Sequence, residues 1–458
     1  MNKTFIFLYL ILMNSIIAGP NLIIILTDDQ GYQDVGFNGC KDIPTPHLDS
    51  IAQNGVNCID AHVSYPVCGP SRAGLLTGRY QDRFGFTTNP TVNPENPIAG
   101  LPLEEKNIAE VLKEVGYSSS IIGKWHMGTH PIHHPLNRGF DHFFGFLSGG
   151  HDYFPAKYNL KDLSEVKRIW DWYRTHLIRD RERIQVSEGY LTDILTDAAV
   201  DFIDKKASEK KPFMLYLSYN APHTPLQASE KYLKRFTHIK DSKRRTYAAM
   251  VSAVDDGVGR VMARLKKHKI EEDTLVFFLS DNGGPLKGPM PFTDNGPFSK
   301  GKGSLHEGGT RVPFAVQWKG TIPSGQIYKK PMSSLDILAT ITALNKLKPH
   351  PKRPLDGVNI IPYLTGQKSS NPHDKLFWRK LTTQGFSLRQ GNYKILLDNG
   401  RRGDSYQLYD LSKDPGEQQD LKNKKPELAK GMFEEWKKWE KELKNCIFPT
   451  LEEVWWDK

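Results

Sequence analysis

Cysteine is scarce in this chain: 4 residues of 458, at positions 40, 58, 68 and 446. A fold stapled by many disulfides is therefore excluded, and a chain of this length buries enough apolar surface not to need one. Long apolar runs are scarcer still. Past the first eighteen residues, no stretch approaches the roughly 20 apolar residues that a membrane-spanning helix requires. Neither a repeat nor a low-complexity segment is visible. The net charge of +10 is spread along the chain, without a compact basic run interleaved with aromatics, which argues against nucleic acid as a partner. An anionic substrate and simple surface solubility both fit that balance.

What is present is ordinary for a globular protein, with 38% hydrophobic and 25% charged residues. The length suits one large domain plus a small one, or two to three domains. At the start, Lys3 precedes an apolar run from Phe5 to Met13, and small residues follow near Ala18-Gly19. This pattern reads as a secretory signal peptide over 1–19, with a membrane anchor as the alternative that the short run disfavours. The expectation is an exported protein, periplasmic or extracellular, with no membrane span in the mature chain.

Apolar strand-like runs alternate with helical patterns. Leu22 to Leu26 reads as a buried strand, and Ile108, Val111, Leu112 and Val115 recur at helical spacing before Gly116. Further strands are expected at Ser118–Ile122, Phe213–Tyr219 and Thr274–Leu279. Helices are expected near 190–205 and along Met250, Val254, Val258, Val261 and Leu265. This alternation implies an α/β fold: a large mixed, mostly parallel sheet sandwiched by helices. After about residue 370 short strands and turns predict a small antiparallel sheet. Pro426 opens a helix carrying Leu428, Met432, Trp436 and Leu443 on the face that docks there. The expected organisation is a catalytic domain over 20–368 and a C-terminal subdomain over 369–458, with a loop at Lys348–Pro354.

Four of the strands end in polar clusters: Asp28-Asp29, Lys124-Trp125-His126, Asn220-Ala221-Pro222-His223 and Asp281-Asn282. Ligands of open α/β sheets bind beyond the carboxyl ends of strands, so these clusters should meet along one edge. Each has a plain reading by itself: paired aspartates cap turns, and Lys-X-His is an ordinary strand-end pair. The segment Val67-Cys68-Gly69-Pro70-Ser71-Arg72 places Cys68 at a helix start, where backbone N–H groups favour anions. Without its context, Cys68 reads as a buried or disulfide-bonded cysteine.

Context changes that. Cys68-Gly69-Pro70-Ser71-Arg72 with Leu76-Thr77-Gly78-Arg79 resembles the signature of the formylglycine-dependent sulfatase family, part of the alkaline phosphatase-like superfamily. The resemblance runs from Asn21 to about Glu417 and includes Thr27-Asp28-Asp29, Gly123-Lys124-Trp125-His126, Ala221-Pro222-His223, Ser280-Asp281-Asn282 and Gly301-Lys302-Gly303-Ser304 in order. It implies hydrolysis of sulfate monoesters, with Cys68 oxidised to 3-oxoalanine (formylglycine) by a formylglycine-generating enzyme. It also implies one Ca2+, with Mg2+ second, held by Asp28, Asp29, Asp281, Asn282 and the oxygen made at position 68; these are hard ligands. Lys124 and Lys302 would hold sulfate oxygens. Arg72 would orient the hydrated aldehyde, whose oxygen attacks sulfur to give a covalent sulfo-enzyme. His223 would act as general acid and His126 as base. With Cys68 so used, three cysteines remain, and Cys40–Cys58 is the expected bridge.

Substrate choice lies outside these motifs. His130, His133, His134, Arg138, His151, Asp152 and Tyr153 form a polar stretch, and Trp170, Trp172 and Tyr173 offer aromatic faces to a sugar ring. His151, Asp152, Trp170 and Trp172 are the candidate substrate contacts, and a sulfated saccharide is the expected partner. The alternatives are a phosphate or phosphonate ester hydrolase with the same nucleophile, and a non-catalytic polyanion-binding relative.

Overall fold

The computed structural model describes residues 19–449, apart from 169, 210, 287–291 and 399–404. The signal-peptide reading of 1–19 thus lies, save for Gly19, outside the described residues. No helix among the described residues is long and apolar enough to cross a membrane.

Strand Asn21–Thr27 shows why the centre of the molecule is a sheet. Its apolar residues are all buried, and they alternate: Leu22, Ile24 and Leu26 enter one core while Ile23 and Ile25 enter the other. A strand apolar on both faces belongs in the interior of a parallel sheet, with helices over each side. Each such side chain contributes about 1.5–3 kcal/mol by leaving water. The strand pairs in parallel with Phe213–Ser218 on one side and Thr274–Ser280 on the other, and Phe213–Ser218 pairs with Ser118–Lys124, which pairs with His142–Phe146. Among the described residues ten strands form the sheet, and antiparallel strands Phe314–Gln317 and Leu177–Arg179 flank the parallel centre.

Helices Cys68–Thr77, Ile108–Lys113 and Asp336–Leu344 cover one face; Pro46–Gln53, Leu191–Glu209 and Ser242–His268 cover the other. In the longest of these, Met250, Val254, Val258, Val261 and Leu265 are all buried, as their spacing predicts. Asp241 caps its start by accepting from Arg244 N at 2.7 Å. The two faces also decide the cysteines. Cys58 lies in the core of the first face and Cys40 packs against the second, so the sheet separates them. All four cysteines are free, and the expected Cys40–Cys58 bridge is not formed.

The C-terminal part is an antiparallel sheet of Lys375–Lys380, Gly385–Gln390, Tyr393–Leu397 and Gln407–Asp410 in chain order. Helix Pro426–Glu440 docks on it through Met432 and Trp436, the latter stacked on Phe386 at 4.4 Å. Leu443 lies past the end of that helix, not on its face as expected, and packs at the edge of the same core.

In the central sheet, register places the carboxyl ends level. Thr27 pairs with Ser280, Leu26 with Ser218, Ser218 with Gly123, and Lys124 with Phe146. The four polar clusters leave the sheet side by side.

Candidate active site

Cys68 opens helix Cys68–Thr77, every residue of which is buried. Its Sγ lies 3.4 Å from Asp28 Oδ1 and accepts from Lys302 Nζ at 3.2 Å. Gly69 N donates to Asn89 Oδ1 at 2.8 Å, which fixes the first turn. Burial, and then the Asp28 charge, push the Cys68 thiol above its ordinary value, against the pull of Lys124 and Lys302. An unmodified thiol here is therefore a poor nucleophile at neutral pH.

One helical turn on, Arg72 reaches the same place from below. Its Nε donates to Asp281 Oδ2 at 2.9 Å, its Nη2 lies 2.8 Å from that oxygen and 3.4 Å from Asp28 Oδ2, and its Nη1 donates to Ser218 Oγ at 2.5 Å. Lys124 Nζ pairs with Asp28 Oδ2. Lys302 Nζ meets Asp29 Oδ1 at 2.6 Å, and Asn282 Nδ2 donates to the same oxygen at 2.8 Å. Three carboxylates thus face three cations. The loop bearing Lys302 is held by Lys302 N to Gly284 O at 3.2 Å and Gly303 N to Pro66 O at 2.8 Å. Asp398, from the C-terminal sheet, accepts from Leu305 N at 3.0 Å.

The titration behaviour follows from this packing. Burial would raise Asp28, but Lys124, His223, Arg72 and Lys302 together hold it well below the usual carboxylate range. Burial and the neighbouring Asp28 push Asp281 up to about 6. Lys302 is raised well above its ordinary value: burial acts against its charge, and Asp29, Cys68 and Asp28 outweigh it. Burial, then Lys124 and Arg72, hold His126 well below its ordinary value, so its ring is neutral. Burial also lowers His223, against Asp28 and Asp29. His223 Nδ1 lies 2.5 Å from Thr224 O, a pure acceptor, so Nδ1 carries the proton and Nε2 points toward Asp29 Oδ2 at 3.6 Å. Asp29 and His126 both hold left-handed backbone, with φ of 63° and 59°. Such strain in residues other than glycine persists where the surroundings force it, typically at functional sites.

A divalent cation fits the donor set. Asp28, Asp29 and Asp281 supply hard oxygens, and Asn282 Oδ1 is buried without a partner. Ligand atoms of Asp28, Asp29, Cys68 and His223 lie within 4.8 Å of one another. Without a metal the three carboxylates cancel the three cations; a bound divalent ion would leave the cluster cationic, as an anionic sulfate ester requires.

All of the residues singled out for chemistry, Cys68, Arg72, Lys124, His126, His223, Lys302, Asp28, Asp29, Asp281 and Asn282, are brought to this one edge. Three of the four substrate candidates are not available there. His151 is buried with its ring nitrogens on Asp152 O at 3.0 Å and Thr175 O at 2.8 Å, leaving nothing for a ligand. The Asp152 carboxylate is occupied by Gln227 Nε2 at 2.7 Å and Lys157 at 3.6 Å. Trp172 is 2% exposed, whereas Trp170 is 60% exposed. Arg138 and His133 are likewise built into the frame, bonded to Leu101 O at 2.6 Å and Pro97 O at 2.8 Å. Sequence reasoning missed Ser218 and Asn89, whose short polar side chains carry no spacing signal.

The family model described as Sulfatase matches residues 20–346, and that described as N-sulphoglucosamine sulphohydrolase, C-terminal, matches 296–443. The N-acetylgalactosamine-6-sulfatase of Canis lupus familiaris is 36% identical over 382 residues, covering 82% of this chain and 71% of that protein. Arylsulfatase G of Rattus norvegicus is 33% identical over 389 residues, covering 78% and 71%. Among solved structures, Ps i-CgsB superimposes with a TM-score of 0.88 at 39% identity over 96% of this chain and 97% of its own, and it has also been crystallised in complex with k-i-k-neocarrahexaose.

Proposed function

This chain belongs to the sulfatase family and is a sulfuric ester hydrolase, and from that premise we propose that it removes sulfate from saccharides through residue 68, oxidised from cysteine to formylglycine. The observation that carries the reading is the seat of residue 68: a helix start, with Lys302 at 3.2 Å and Asp28 at 3.4 Å. The relatives named above are called sulfatases of a sulfated amino sugar and of aryl esters, and a third binds a neocarrahexaose. A sulfated saccharide is the substrate class that unites the first and the last with the cationic rim.

The hydrated aldehyde at position 68 supplies the oxygen nucleophile that the hindered, high-pKa thiol does not. Asp28, Asp29, Asp281 and Asn282 would hold a divalent cation such as Ca2+, which would neutralise charge on the sulfate when bound. The chain's own groups do the rest. Lys124 and Lys302 bind sulfate oxygens and cancel charge as it builds on them. Arg72, locked by Asp281 and Ser218, orients residue 68. Because Nδ1 of His223 is committed to Thr224 O, the proton for the leaving sugar oxygen sits on Nε2 of the imidazolium. The anionic ester favours that form on arrival. His126, kept neutral, takes a proton from residue 68. Maturation calls for a formylglycine-generating enzyme, and the expected route is export.

Two measurements test this. The peptide containing residue 68 should weigh about 18 Da less than its thiol form, the difference for thiol-to-aldehyde conversion. The Cys68→Ala protein should release no sulfate from N-acetylgalactosamine 6-sulfate or the neocarrahexaose while unfolding at the same temperature. Sulfate release that survives Cys68→Ala would sink the assignment.

A further inference from the structure

Tyr173 is a rim aromatic whose hydroxyl, and not only its ring face, is available to a ligand. Tyr173 closes the short helical turn Asp171–Arg174, and its carbonyl accepts from Asp152 N at 3.0 Å. That bond ties it to the loop after strand His142–Phe146, the loop that accepts from His126 N at Leu147 O, 3.2 Å. Two consecutive glycines form the floor. A Cβ on Gly149 would stand 2.6 Å from His126 Nε2, and one on Gly150 would stand 2.5 Å from both Cζ and Oη of Tyr173. The imidazole and the phenol therefore lie over adjacent residues, and any other side chain there would displace one of them.

The phenol stands over Gly150, one residue along from the glycine beneath His126, on the catalytic side of the wall. Burial raises its pKa, and the charges it feels there are those of Lys302, Asp28, Cys68 and Asp29. Among the described residues no side chain or backbone group hydrogen-bonds to its hydroxyl, although the other tyrosines on this side, Tyr153 and Tyr158, each spend theirs on a carbonyl at 2.7–2.9 Å. Next to it stands Trp170, its ring 5.6 Å from that of Tyr173, with Trp172 buried behind both. The wall thus has a polar inner end next to His126 and an apolar outer end in solvent.

We propose that Tyr173 is a specificity-determining residue of this site, its hydroxyl hydrogen-bonding a hydroxyl of the sugar ring that bears the sulfate, while Trp170 covers the apolar face of the next ring outward. A partly buried hydroxyl with no internal partner is a place where a substrate hydroxyl replaces water, and an exposed indole face suits the C–H face of a sugar. This inference rests on the saccharide-sulfatase reading.

The test uses the matured protein with three probes: 4-nitrophenyl sulfate, which has no sugar hydroxyl, N-acetylgalactosamine 6-sulfate, and the k-i-k-neocarrahexaose. Tyr173→Phe should raise KM for the saccharide that is processed by about 10-fold, the effect of one lost hydrogen bond, with a smaller rise for the aryl ester. Trp170→Ala should raise KM for the hexaose more than for the monosaccharide. Equal changes on aryl and sugar esters, or none on either, overturn the assignment, as does turnover of the aryl ester with neither saccharide processed. Titration calorimetry of the saccharides against Cys68→Ala, with and without Tyr173→Phe, reads the same contact without turnover. No sulfate release from any probe, once the aldehyde at 68 is confirmed by mass, would overturn the hydrolase reading instead, and the calorimetric difference would still decide Tyr173.

Discussion

Two clusters in this molecule have the same charge inventory and opposite uses. At the sheet edge, Asp28, Asp29 and Asp281 face Arg72, Lys124 and Lys302. Beneath the C-terminal sheet, Asp60, Glu307 and Glu417 face Arg311, Arg389 and Lys394. In the second cluster, Arg389 grips Asp60 with both terminal nitrogens, at 2.5 and 2.7 Å, and Lys394 lies 2.9 Å from Glu307 and 2.8 Å from Glu417. Lys394 and Glu307 have no solvent exposure, and the network joins the 301–311 loop to the small sheet. The first cluster keeps an unpartnered oxygen on Asn282 and opens to solvent at Lys302 and His223, whose side chains are 19% and 12% exposed. Counting charges does not find a site. What separates the site from the strut is the opening to solvent, since the buried cluster too holds a ring nitrogen without a partner, His62 Nδ1.

The sharpest way to break this comparison is to remove one carboxylate from each side. Asp281→Ala takes away the partner of Arg72 and a proposed metal ligand, and sulfate release should fall by about 10^3-fold or more, several kcal/mol of lost transition-state stabilisation. Steady-state assays on a matured preparation check it. If activity survives, the edge cluster is only structural. Lys394→Met should do the converse. It strands Glu307 and Glu417 in the interior, at a cost of about 3–5 kcal/mol in denaturant unfolding, while kcat per folded molecule stays within about 2-fold. A collapse of kcat with unchanged stability would contradict the strut assignment.

Metal removal should separate the clusters further. A chelator should abolish activity, and Ca2+ at about 100 times its dissociation constant should restore it and add about 2.7 kcal/mol of stability. Lys394→Met should not diminish that increment if the metal binds at the sheet edge as proposed. The smallest expected effect is a pH dependence. Burial opposes ionisation of Glu307, but Lys394, His62, Arg311 and Arg389 hold it below its ordinary 4.5. A depressed carboxylate pKa contributes stability that is complete above the unfolded value and is lost as pH falls through the folded one. Urea midpoints should therefore drop below about pH 4.5 in the wild type and less steeply in Lys394→Met. Parallel curves for the two proteins would remove Lys394 as the cause.

Much of this was legible in the chain. The run Leu22–Leu26, apolar at every position, could only be an interior strand, and its end at Asp28-Asp29 marked the site. The helix of Met250, Val254, Val258, Val261 and Leu265 was equally plain, because its period is set by backbone geometry alone. His151, Asp152 and Trp172 misled, since polarity and aromaticity do not say which way a side chain faces. His151 satisfies two carbonyls inside the loop, and Trp172 backs the wall that Trp170 and Tyr173 present. The Cys40–Cys58 pairing failed for a similar reason, as nothing local tells that a sheet lies between two thiols.

Strands, helices and the residue types at each strand end follow from the order of residues alone, because hydrophobic period and side-chain chemistry are local properties. Which of them share a space depends on how the elements pack. Residues as distant as Asp28 and Asp281 meet because parallel pairing sets Thr27 beside Ser280, and backbone hydrogen bonding across the sheet, not chain proximity, fixes that register. The same packing chose which buried charges would be spent on one another and which would be left facing the opening.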